Sequence, residues 1–312
     1  MTKDDFTVNV SIIIVNYNTK QLLADCLNSI YEQTKDINFE VIVSDNGSTD
    51  GSIEMLKNDF PQVILIENNA NLGFGAANNR GLAIAKGKYI FYLNSDTILL
   101  NNAVKIFFDY FEEHGEKENI GALGANLLDT KENIILSCGK FPDYKKYLSD
   151  LIHVLYGFAK LTLLHLLFKK PLPIFSPNKK LKTLGEVDYI TGADLFLRND
   201  DFAVYDENIF MYCEEVLLEW KLMRQNKKRI LIDGPRIIHL EGASAEKNTR
   251  DVIHERASFS HIQNAISRIY YFRKTGVSFV HILILKIITT FLWLNPYLYP
   301  KASKYIKKLW QQ

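Results

Sequence analysis

The carboxylate best placed to do chemistry in this sequence is Asp96. It ends the motif Asn94-Ser95-Asp96, which directly follows the apolar run 89–93. A run without polar positions predicts a strand that is buried on both faces of a sheet, and ligands bind at the carboxyl ends of such strands. Asp96 is therefore a candidate metal ligand. The alternative is that Asn94 and Asp96 only cap the helix that begins near Asn101.

A second polar segment follows the predicted strand 39–44 and reads D-N-G-S-T-D-G-S from Asp45 to Ser52. A carboxylate, a glycine turn and a following helix together predict a nucleoside pocket. In that pocket Asp45 would accept hydrogen bonds from ribose hydroxyls or from base N–H groups. An ordinary turn, with Thr49 or Asp50 as the N-cap of the next helix, is the alternative.

A pair of adjacent carboxylates, Glu214 and Glu215, follows the run F-M-Y-C and precedes a predicted helix, 216–225. The apolar run can exclude water, which raises a carboxyl pKa, whereas the dipole at a helix N-terminus lowers it. Either balance leaves a group that can accept a proton at working pH. The alternative is that both glutamates only cap the helix.

Alternating strands and helices must position these side chains. Apolar runs predict strands at 10–15, 39–44, 63–66 and 89–93, and apolar positions at helical spacing predict a helix at 20–33 that Thr19 caps. This alternation predicts an α/β fold with a doubly wound, mostly parallel sheet. A further strand is predicted at 229–232, and a strand that enters a loop is predicted at 236–244.

Composition narrows the classes of protein. With 312 residues, 47% of them hydrophobic, the chain has ample material for a core. The formal net charge of +1 gives no general electrostatic case for binding nucleic acid. Three widely spaced cysteines indicate buried or free thiols in a reducing compartment. The N-terminus lacks the apolar segment of a signal peptide, so we expect the protein to begin in the cytosol.

Several motifs in order resemble those of family 2 glycosyltransferases with the GT-A fold, in the branch that builds bacterial surface polysaccharides and includes many rhamnosyltransferases. S-I-I-I-V-N-Y-N resembles the opening strand of that family, S-D-N-G-S-T-D-G-S its nucleotide-binding turn, and N-L-G-F-G-A-A-N-N-R-G followed by Y-L-N-S-D the approach to its metal motif. T-G-A-D-L-F-L-R resembles its acceptor-side segment, and F-M-Y-C-E-E its catalytic acidic pair. The match covers roughly residues 8–275.

The resemblance implies roles for named residues. Those implied in binding the nucleotide-sugar are Asn16, Asn18, Asp45, Asn46, Ser48, Asn78, Asn94 and Asp96. Gly192, Ala193 and Asp194 are implied on the acceptor side. Asp96 and His239, the latter in a motif of the form H-x-x-G-x-S, are implied as ligands of Mn²⁺ or Mg²⁺, and an imidazole ligand favours manganese. Glu215 is implied as the general base, with Glu214 supporting it.

Two departures from the family pattern bear on these roles. Many relatives have E-D-x-D-L where this chain has E-E-V-L-L, so Glu215 replaces an aspartate and Leu217 replaces a second one. The longer arm of Glu215 shifts the acceptor hydroxyl by roughly one methylene, which weakens analogy in acceptor choice. The metal motif has Asn94 in its first position, so Asp96 alone would supply a charged ligand.

The predicted domain organisation separates a GT-A domain, 1–275, from an apolar and basic membrane-associating segment, 276–312. Within the domain we expect a nucleotide-binding half, 8–125, and an acceptor half, 126–275, with an apolar helical insertion at 147–170. Charged residues interrupt the insertion and Lys286 lies within the C-terminal segment, so both favour an interfacial helix over a membrane span. A buried helix in each case, or a homodimer contact for the C-terminal segment, is the alternative.

The sequence therefore predicts an inverting, metal-dependent glycosyltransferase. Its expected partners are a nucleoside-diphosphate sugar, a lipid-diphosphate-linked saccharide acceptor and the inner face of the cell membrane, with no nucleic acid. A sugar nucleotidyltransferase is disfavoured because N-Y-N-T stands where that class has a glycine-rich loop. A catalytically silent nucleotide-sugar-binding or scaffold protein at the membrane is the alternative from another class.

Overall fold

The protein is described here by a computed structural model, which covers residues 8–168, 184–240, 259–295, 299 and 301–312. The chain divides into two compact units. The first contains Met1–Phe141 and Leu181–Lys247, and the second contains Pro142–Lys180 and Asn248–Gln312. Each unit is thus built from two separate stretches of chain.

A mixed sheet forms the centre of the first unit. Its strands are β1 (Val8–Asn16), β2 (Phe39–Asp45), β3 (Ile64–Glu67), β4 (Gly87–Asn94), β5 (Thr97–Leu99), β6 (Ile120–Leu128), β8 (Gly185–Glu186), β10 (Asp194–Arg198) and β11 (Lys228–His239). They lie in the order β3-β2-β1-β4-β10-β6-β11-β5, and β8 pairs with β11. Within this described sheet, β5, β8 and β10 run against the other six strands. The two remaining strands of the described chain, β7 (Cys138–Gly139) and β9 (Tyr189–Ile190), pair with each other in a separate sheet. The predicted α/β fold with a mostly parallel sheet is confirmed.

Helices cover both faces of this sheet because its central strands are apolar on both sides. Ile12 and Ile14 of β1 pack with α1 (Lys20–Gln33), α2 (Ser52–Asp59) and α4 (Ala103–His114). Ile13 faces the other way, towards α3 (Phe74–Leu82) and α6 (Glu214–Arg224). Burial on both faces is what a continuous apolar run predicts. The carboxyl ends of β1, β2 and β4 therefore share one edge of the sheet.

One boundary prediction is wrong. The two strands expected at 229–232 and 236–244 form the single strand β11, which pairs with β6 on both sides of an irregularity between Ile232 and Ile237. Gly234 has φ +107° there, a left-handed conformation that favours glycine. The extra residues bulge out and the strand resumes in the same sheet. Residues 241–244 of the prediction lie outside the described chain.

The second unit is helical. It contains α5 (Tyr144–Phe168), α7 (Phe259–Lys274), α8 (Phe279–Trp293) and the short α9 (Ile306–Gln311). Both α5 and α7 contact α8, and the rings of Tyr144 and Tyr147 pack on Phe272. The structure thus groups α7 with the C-terminal helices, whereas the sequence-based boundary at 275 separates them. None of the described helices is both long and apolar enough to cross a bilayer.

Candidate active site

A chain of polar side chains joins the carboxyl ends of β1, β2 and β4. Asn16 donates through Nδ2 to Asp45 Oδ2 at 2.7 Å and to Ser48 Oγ at 3.0 Å. Its Oδ1 accepts from Thr19 Oγ1 at 2.7 Å, and Thr19 Oγ1 lies 3.1 Å from Ser95 Oγ. We call Asn16, Thr19, Asp45, Ser48 and Ser95 the polar network. It places the N-S-D motif beside the predicted nucleotide-binding turn.

Asp45 organises that turn. Its carboxylate is fully buried, and its Oδ1 accepts hydrogen bonds from the backbone N–H groups of Gly47 at 3.0 Å and Ser48 at 2.8 Å. With the bond from Asn16, three of its roughly four acceptor positions are in use. In this structure Asp45 shapes the turn, and direct contact with a nucleoside stays a prediction.

Three of the asparagines predicted to bind the nucleotide-sugar also make internal hydrogen bonds. Asn18 Oδ1 accepts from the backbone N–H of Thr49 at 2.8 Å, at an exposed position. Asn46 is buried and donates to Gly73 O at 3.2 Å, which holds the loop before α3. Asn78 is buried too and donates to the carbonyl of Phe74 within α3. Of the three, only Asn18 has an exposed side chain to offer a ligand.

Asp96 and His239 meet at the edge where β5 and β11 pair. Because His239 is opposite Thr97 in that pairing, its Nε2 lies 3.3 Å from Asp96 Oδ1 and 3.4 Å from Asn94 Nδ2. The backbone N–H of Leu240 donates to Asp96 O at 2.9 Å and fixes the end of β11. The structure thus brings together the two residues predicted to bind a metal, although they are 143 positions apart in the sequence.

The donor set suits a divalent ion held partly by a substrate. One carboxylate oxygen and one imidazole nitrogen converge, and the buried Nδ1 of His239 has no hydrogen-bond partner within the described chain. No cluster of three or more His, Cys, Asp or Glu side chains suited to a metal occurs among the described residues. An ion held by Asp96 and His239 would need further ligands from phosphates and water, as is usual for Mg²⁺.

The acidic pair begins α6. Cys213 precedes it with φ +66°, and the preceding loop is tied to α3 because the N–H of Phe74 donates to Phe210 O at 2.9 Å. Gly73 is needed at this crossing, since it has φ +88° and a Cβ there would overlap Phe210 O. The start of α3 therefore positions the start of α6.

Burial dominates the electrostatics of this pair. Glu214 is buried with Oε2 unpaired among the described residues, whereas Glu215 keeps partial exposure. Desolvation raises the pKa of Glu215 to about 7, and it raises the pKa of Glu214 well above its usual range, with repulsion from Glu215 adding to the effect. Backbone hydrogen bonds at the helix start lower both values but do not offset burial. Glu215 is therefore the more accessible proton acceptor.

The segment predicted to lie on the acceptor side, residues 192–194, approaches both the N-S-D motif and the start of α6. The N–H of Asn94 donates to Ala193 O at 3.1 Å, and a Cβ on Gly192 would lie 3.8 Å from Glu215 Cβ. Asp194, predicted on the acceptor side, is fully buried, and its carboxylate accepts the N–H of Ala125 at 2.7 Å. In this structure Asp194 supports the strand, and Gly192 lies next to Phe74 and the start of the Glu215 side chain.

The roles of three side chains in this region were not predicted from the sequence. Thr19 occupies the predicted N-cap position, but its hydroxyl donates to Asn16 rather than capping α1. Ser95 joins the polar network through Thr19. Glu219, one turn beyond Glu215, is fully buried and accepts the N–H of Ile190 with both oxygens at 3.0 and 2.9 Å. A lone Glu among apolar positions on α6 was the available signal for this last role.

Comparison with known sequences identifies the family. Residues 11–166, half of the chain, match the family model described as Glycosyl transferase family 2. A poly(ribitol-phosphate) beta-glucosyltransferase of Bacillus spizizenii is 33% identical over 121 residues, which cover 37% of this chain and 19% of that protein. The enzyme WfaP of Escherichia coli, named as a UDP-Glc:alpha-D-GlcNAc-diphosphoundecaprenol beta-1,3-glucosyltransferase, is 37% identical over 120 residues, 35% of this chain and 47% of WfaP. The chain thus matches less than two thirds of the length of these relatives.

Solved structures agree on the fold. The mannosyltransferase PcManGT from Pyrobaculum calidifontis, in complex with GDP-Man and Mn²⁺, has a TM-score of 0.52 at 16% identity, covering 99% of this chain and 79% of that one. TarS 1–349 of S. aureus has a TM-score of 0.52 at 14% identity, covering 97% and 78%. At these identities the likeness concerns the fold alone. The family match over half of the chain leads to one conclusion: the chain belongs to glycosyl transferase family 2.

Proposed function

We propose that this enzyme transfers a sugar, with rhamnose as one candidate, from a nucleoside-diphosphate sugar to a lipid-diphosphate-linked saccharide during synthesis of a bacterial surface polysaccharide. The observation that carries the proposal is the position of the segment 192–194. Through Ala193 it is hydrogen-bonded to Asn94 of the N-S-D motif, and through Gly192 it lies beside Glu215. The motif that contains Asp96 and the proton acceptor Glu215 thus both lie next to the segment 192–194.

Glu215 acts as general base in this proposal. Transfer with inversion requires the acceptor hydroxyl to attack the anomeric carbon from the face opposite the leaving diphosphate. Glu215 takes the proton of that hydroxyl as the new bond forms. Gly192 supports this role because it carries no side chain that would fill the space beside Glu215. Glu214 lies beside Glu215 as a second buried carboxyl group, whose own pKa is raised by burial and by repulsion from Glu215.

Asp96 and His239 would hold a Mn²⁺ or Mg²⁺ ion. Such an ion, when bound, neutralises charge on the departing diphosphate. The polar network then has a positioning role, because it fixes the turn at Asp45 relative to Ser95 and Asp96. That a structural neighbour was solved with Mn²⁺ and GDP-Man supports a divalent ion and a nucleotide-sugar as the ligands of this fold.

The lipid-linked acceptor is supported by the name of WfaP, which acts on a sugar linked to diphosphoundecaprenol. An acceptor of that kind is anchored in a membrane, so the enzyme must work at the bilayer surface. We place it peripherally on the inner face of the cell membrane, where nucleotide-sugars are available.

A donor screen tests the proposal. The purified chain is incubated with Mn²⁺ or Mg²⁺ and a panel of UDP-, GDP- and dTDP-sugars, and stabilisation on heating and release of nucleoside diphosphate are measured with and without polyprenyl-diphosphate-linked sugars. Selective binding raises thermal stability. Release that depends on one donor and rises with acceptor supports the proposal. Binding without release in any combination supports the silent binding protein instead.

A further inference from the structure

Charge is divided unevenly along this chain. Residues 259–312 contain eight Lys and Arg residues and no Asp or Glu, a formal charge of +8. The preceding 258 residues hold the other 29 basic residues and all 36 acidic ones, a charge of −7. The near-zero net charge of the whole chain therefore conceals a strongly cationic C-terminal segment, which a negatively charged surface would attract.

Helix α8 in this segment is apolar on two opposite faces. One face is buried in the second unit and carries Ile282, Leu285, Thr289, Leu292 and Trp293. The opposite face is exposed and carries Val280 (62% exposed), Ile284 (37%), Ile287 (52%), Phe291 (64%) and Leu294 (61%). We call these five residues the α8 stripe. At 1.5 Å per residue the stripe is about 21 Å long, too short to span a hydrocarbon core of about 30 Å.

Lys286 does not interrupt the α8 stripe. Its Nζ lies 3.4 Å from the carbonyl oxygen of Trp310 and 5.8 Å from the centre of the indole ring. The indole Nε1 in turn donates to Thr290 Oγ1 at 2.9 Å. Lys286 and Thr290 therefore lie on the flank of α8 that α9 covers. The stripe itself consists of aliphatic and aromatic side chains, and the exposed lysines Lys301, Lys304 and Lys307 follow it in the chain.

We infer that the α8 stripe is a membrane-docking face that lies flat in the interface of an anionic bilayer, with the lysines after it contacting lipid headgroups. A helix with an apolar exposed face, a tryptophan on its flank and adjacent lysines has the features of an interfacial anchor. The positive charge favours an anionic bilayer over an uncharged partner surface. This inference rests on the membrane location in the proposed function and adds the face, its orientation and the lipid charge.

Vesicle sedimentation tests the inference without substrates. The full chain is mixed with vesicles of phosphatidylcholine alone or with phosphatidylglycerol added, at low and high salt. We expect binding to the anionic vesicles that high salt weakens. Ile287→Ser combined with Phe291→Ser should weaken binding at least about tenfold, because two exposed apolar side chains lose their lipid contact. Ile84→Ser with Val204→Ser, at exposed apolar positions of the first unit, is the matched control and should bind normally.

A second pair of variants tests the charge. Lys304→Gln with Lys307→Gln should weaken binding to anionic vesicles by about fivefold per lysine, whereas Lys117→Gln with Lys131→Gln should not. Circular dichroism confirms that each variant is folded. The inference is overturned if the wild type stays unbound, or if the stripe variants bind as well as the wild type. It is also overturned if the wild type is a dimer that the stripe variants dissociate while vesicle binding is unchanged.

These outcomes are separate from those of the proposed function. A chain that binds anionic vesicles through the α8 stripe but releases no nucleoside diphosphate from any donor refutes the proposed enzyme reaction and keeps the docking face. A chain that turns over a nucleotide-sugar in solution but ignores vesicles does the reverse. Measuring both properties on one preparation therefore tells the two failures apart.

Discussion

The polar network and the acidic pair lie in the same unit, but their buried carboxylates differ in how many hydrogen bonds they accept. Asp45 is fully buried and accepts three hydrogen bonds, two of them from backbone N–H groups. Glu214 is also buried, yet one of its oxygens has no partner among the described residues, and desolvation raises the pKa of both glutamates. The hydrogen bonds to Asp45 hold the shape of the turn, whereas burial without partners keeps the carboxylates of the acidic pair basic.

This difference shows what burial alone does not reveal. A buried carboxylate whose acceptor positions are filled is a structural group, because hydrogen bonds replace the water that it lost. A buried carboxylate that lacks partners is costly to ionise, and that cost is tolerated where the group must exchange a proton. Substitutions in the first region should therefore act mainly on stability, and substitutions in the second mainly on rate.

The largest effect is expected at Asp96, which follows Ser95 of the polar network in the chain and contacts His239. Asp96→Ala should abolish turnover, because the diphosphate leaving group then loses the only carboxylate of the proposed metal pair. Nucleoside diphosphate release measures this, and an unchanged melting curve shows that the fold is retained. Exposed Asp59→Ala is the matched control. Full wild-type activity in excess chelator would contradict the metal role.

The next effect is expected at Glu215. Glu215→Gln should lower turnover by about 10²- to 10⁴-fold, the usual contribution of a general base, while affinity for the donor stays nearly unchanged. Glu214→Gln should reduce turnover less, because Glu214 is the more deeply buried of the two. Single-turnover rates and donor binding are measured for both variants. If Glu214→Gln is inactive and Glu215→Gln is not, the base is Glu214.

A third effect concerns pH. Because burial raises the pKa of Glu215 to about 7, turnover should fall about tenfold for each pH unit below that value. The folded state binds this proton more tightly than the unfolded state does, so stability should decrease as pH rises from about 4.5 to about 7. Glu215→Gln should remove the trend in rate but only reduce the trend in stability, because burial also raises the pKa values of Asp194, Glu214 and Glu219. Rate profiles and urea denaturation across this range measure them, and a wild-type rate that is flat from pH 5 to pH 7 would be inconsistent with the assignment.

The smallest effect on turnover is expected at Asp45, where the main effect of a substitution should be on the stability of the fold. Asp45→Asn keeps an oxygen for the N–H groups of Gly47 and Ser48 but turns an amide N–H group towards the donating amide of Asn16. We expect a loss of about 1–3 kcal/mol in the free energy of unfolding, the usual cost of an unsatisfied buried polar group. Urea denaturation measures it, with exposed Asp59→Asn as control. Unchanged stability would show that Asp45 does not hold the turn.

The sequence predicted much of the fold because buried positions appear in it as apolar runs or as apolar residues at regular spacing. The apolar runs of β1, β2 and β4 and the helical spacing in α1 identified these elements within one or two residues. It did not predict that β11 is continuous, because Gly234 and the following proline read as a break whereas pairing with β6 resumes beyond them. Local pattern carries no information about a partner strand that is about a hundred residues away.

The candidate site shows the same division. Asp96, Glu215 and His239 were identifiable because each lies in a recognisable motif. The depth at which a side chain is buried was not, since Asp45 and Asp194 depend on donors from other strands. Glu219 could not be assigned a role because its partner, the N–H of Ile190, is a backbone group on a distant segment. Tertiary hydrogen bonds of this kind become visible only in the folded chain.

The construction of the second unit from two chain segments sets an order of events during synthesis. Helix α5 is completed well before α7 and α8, so Tyr144 and Tyr147 must wait for Phe272 before they can be buried. On the ribosome α5 is thus an apolar helix without its partners, and the first unit has all its own segments by Lys247. A truncation after Lys247, intended to remove only the cationic tail, would leave α5 permanently in that incomplete state.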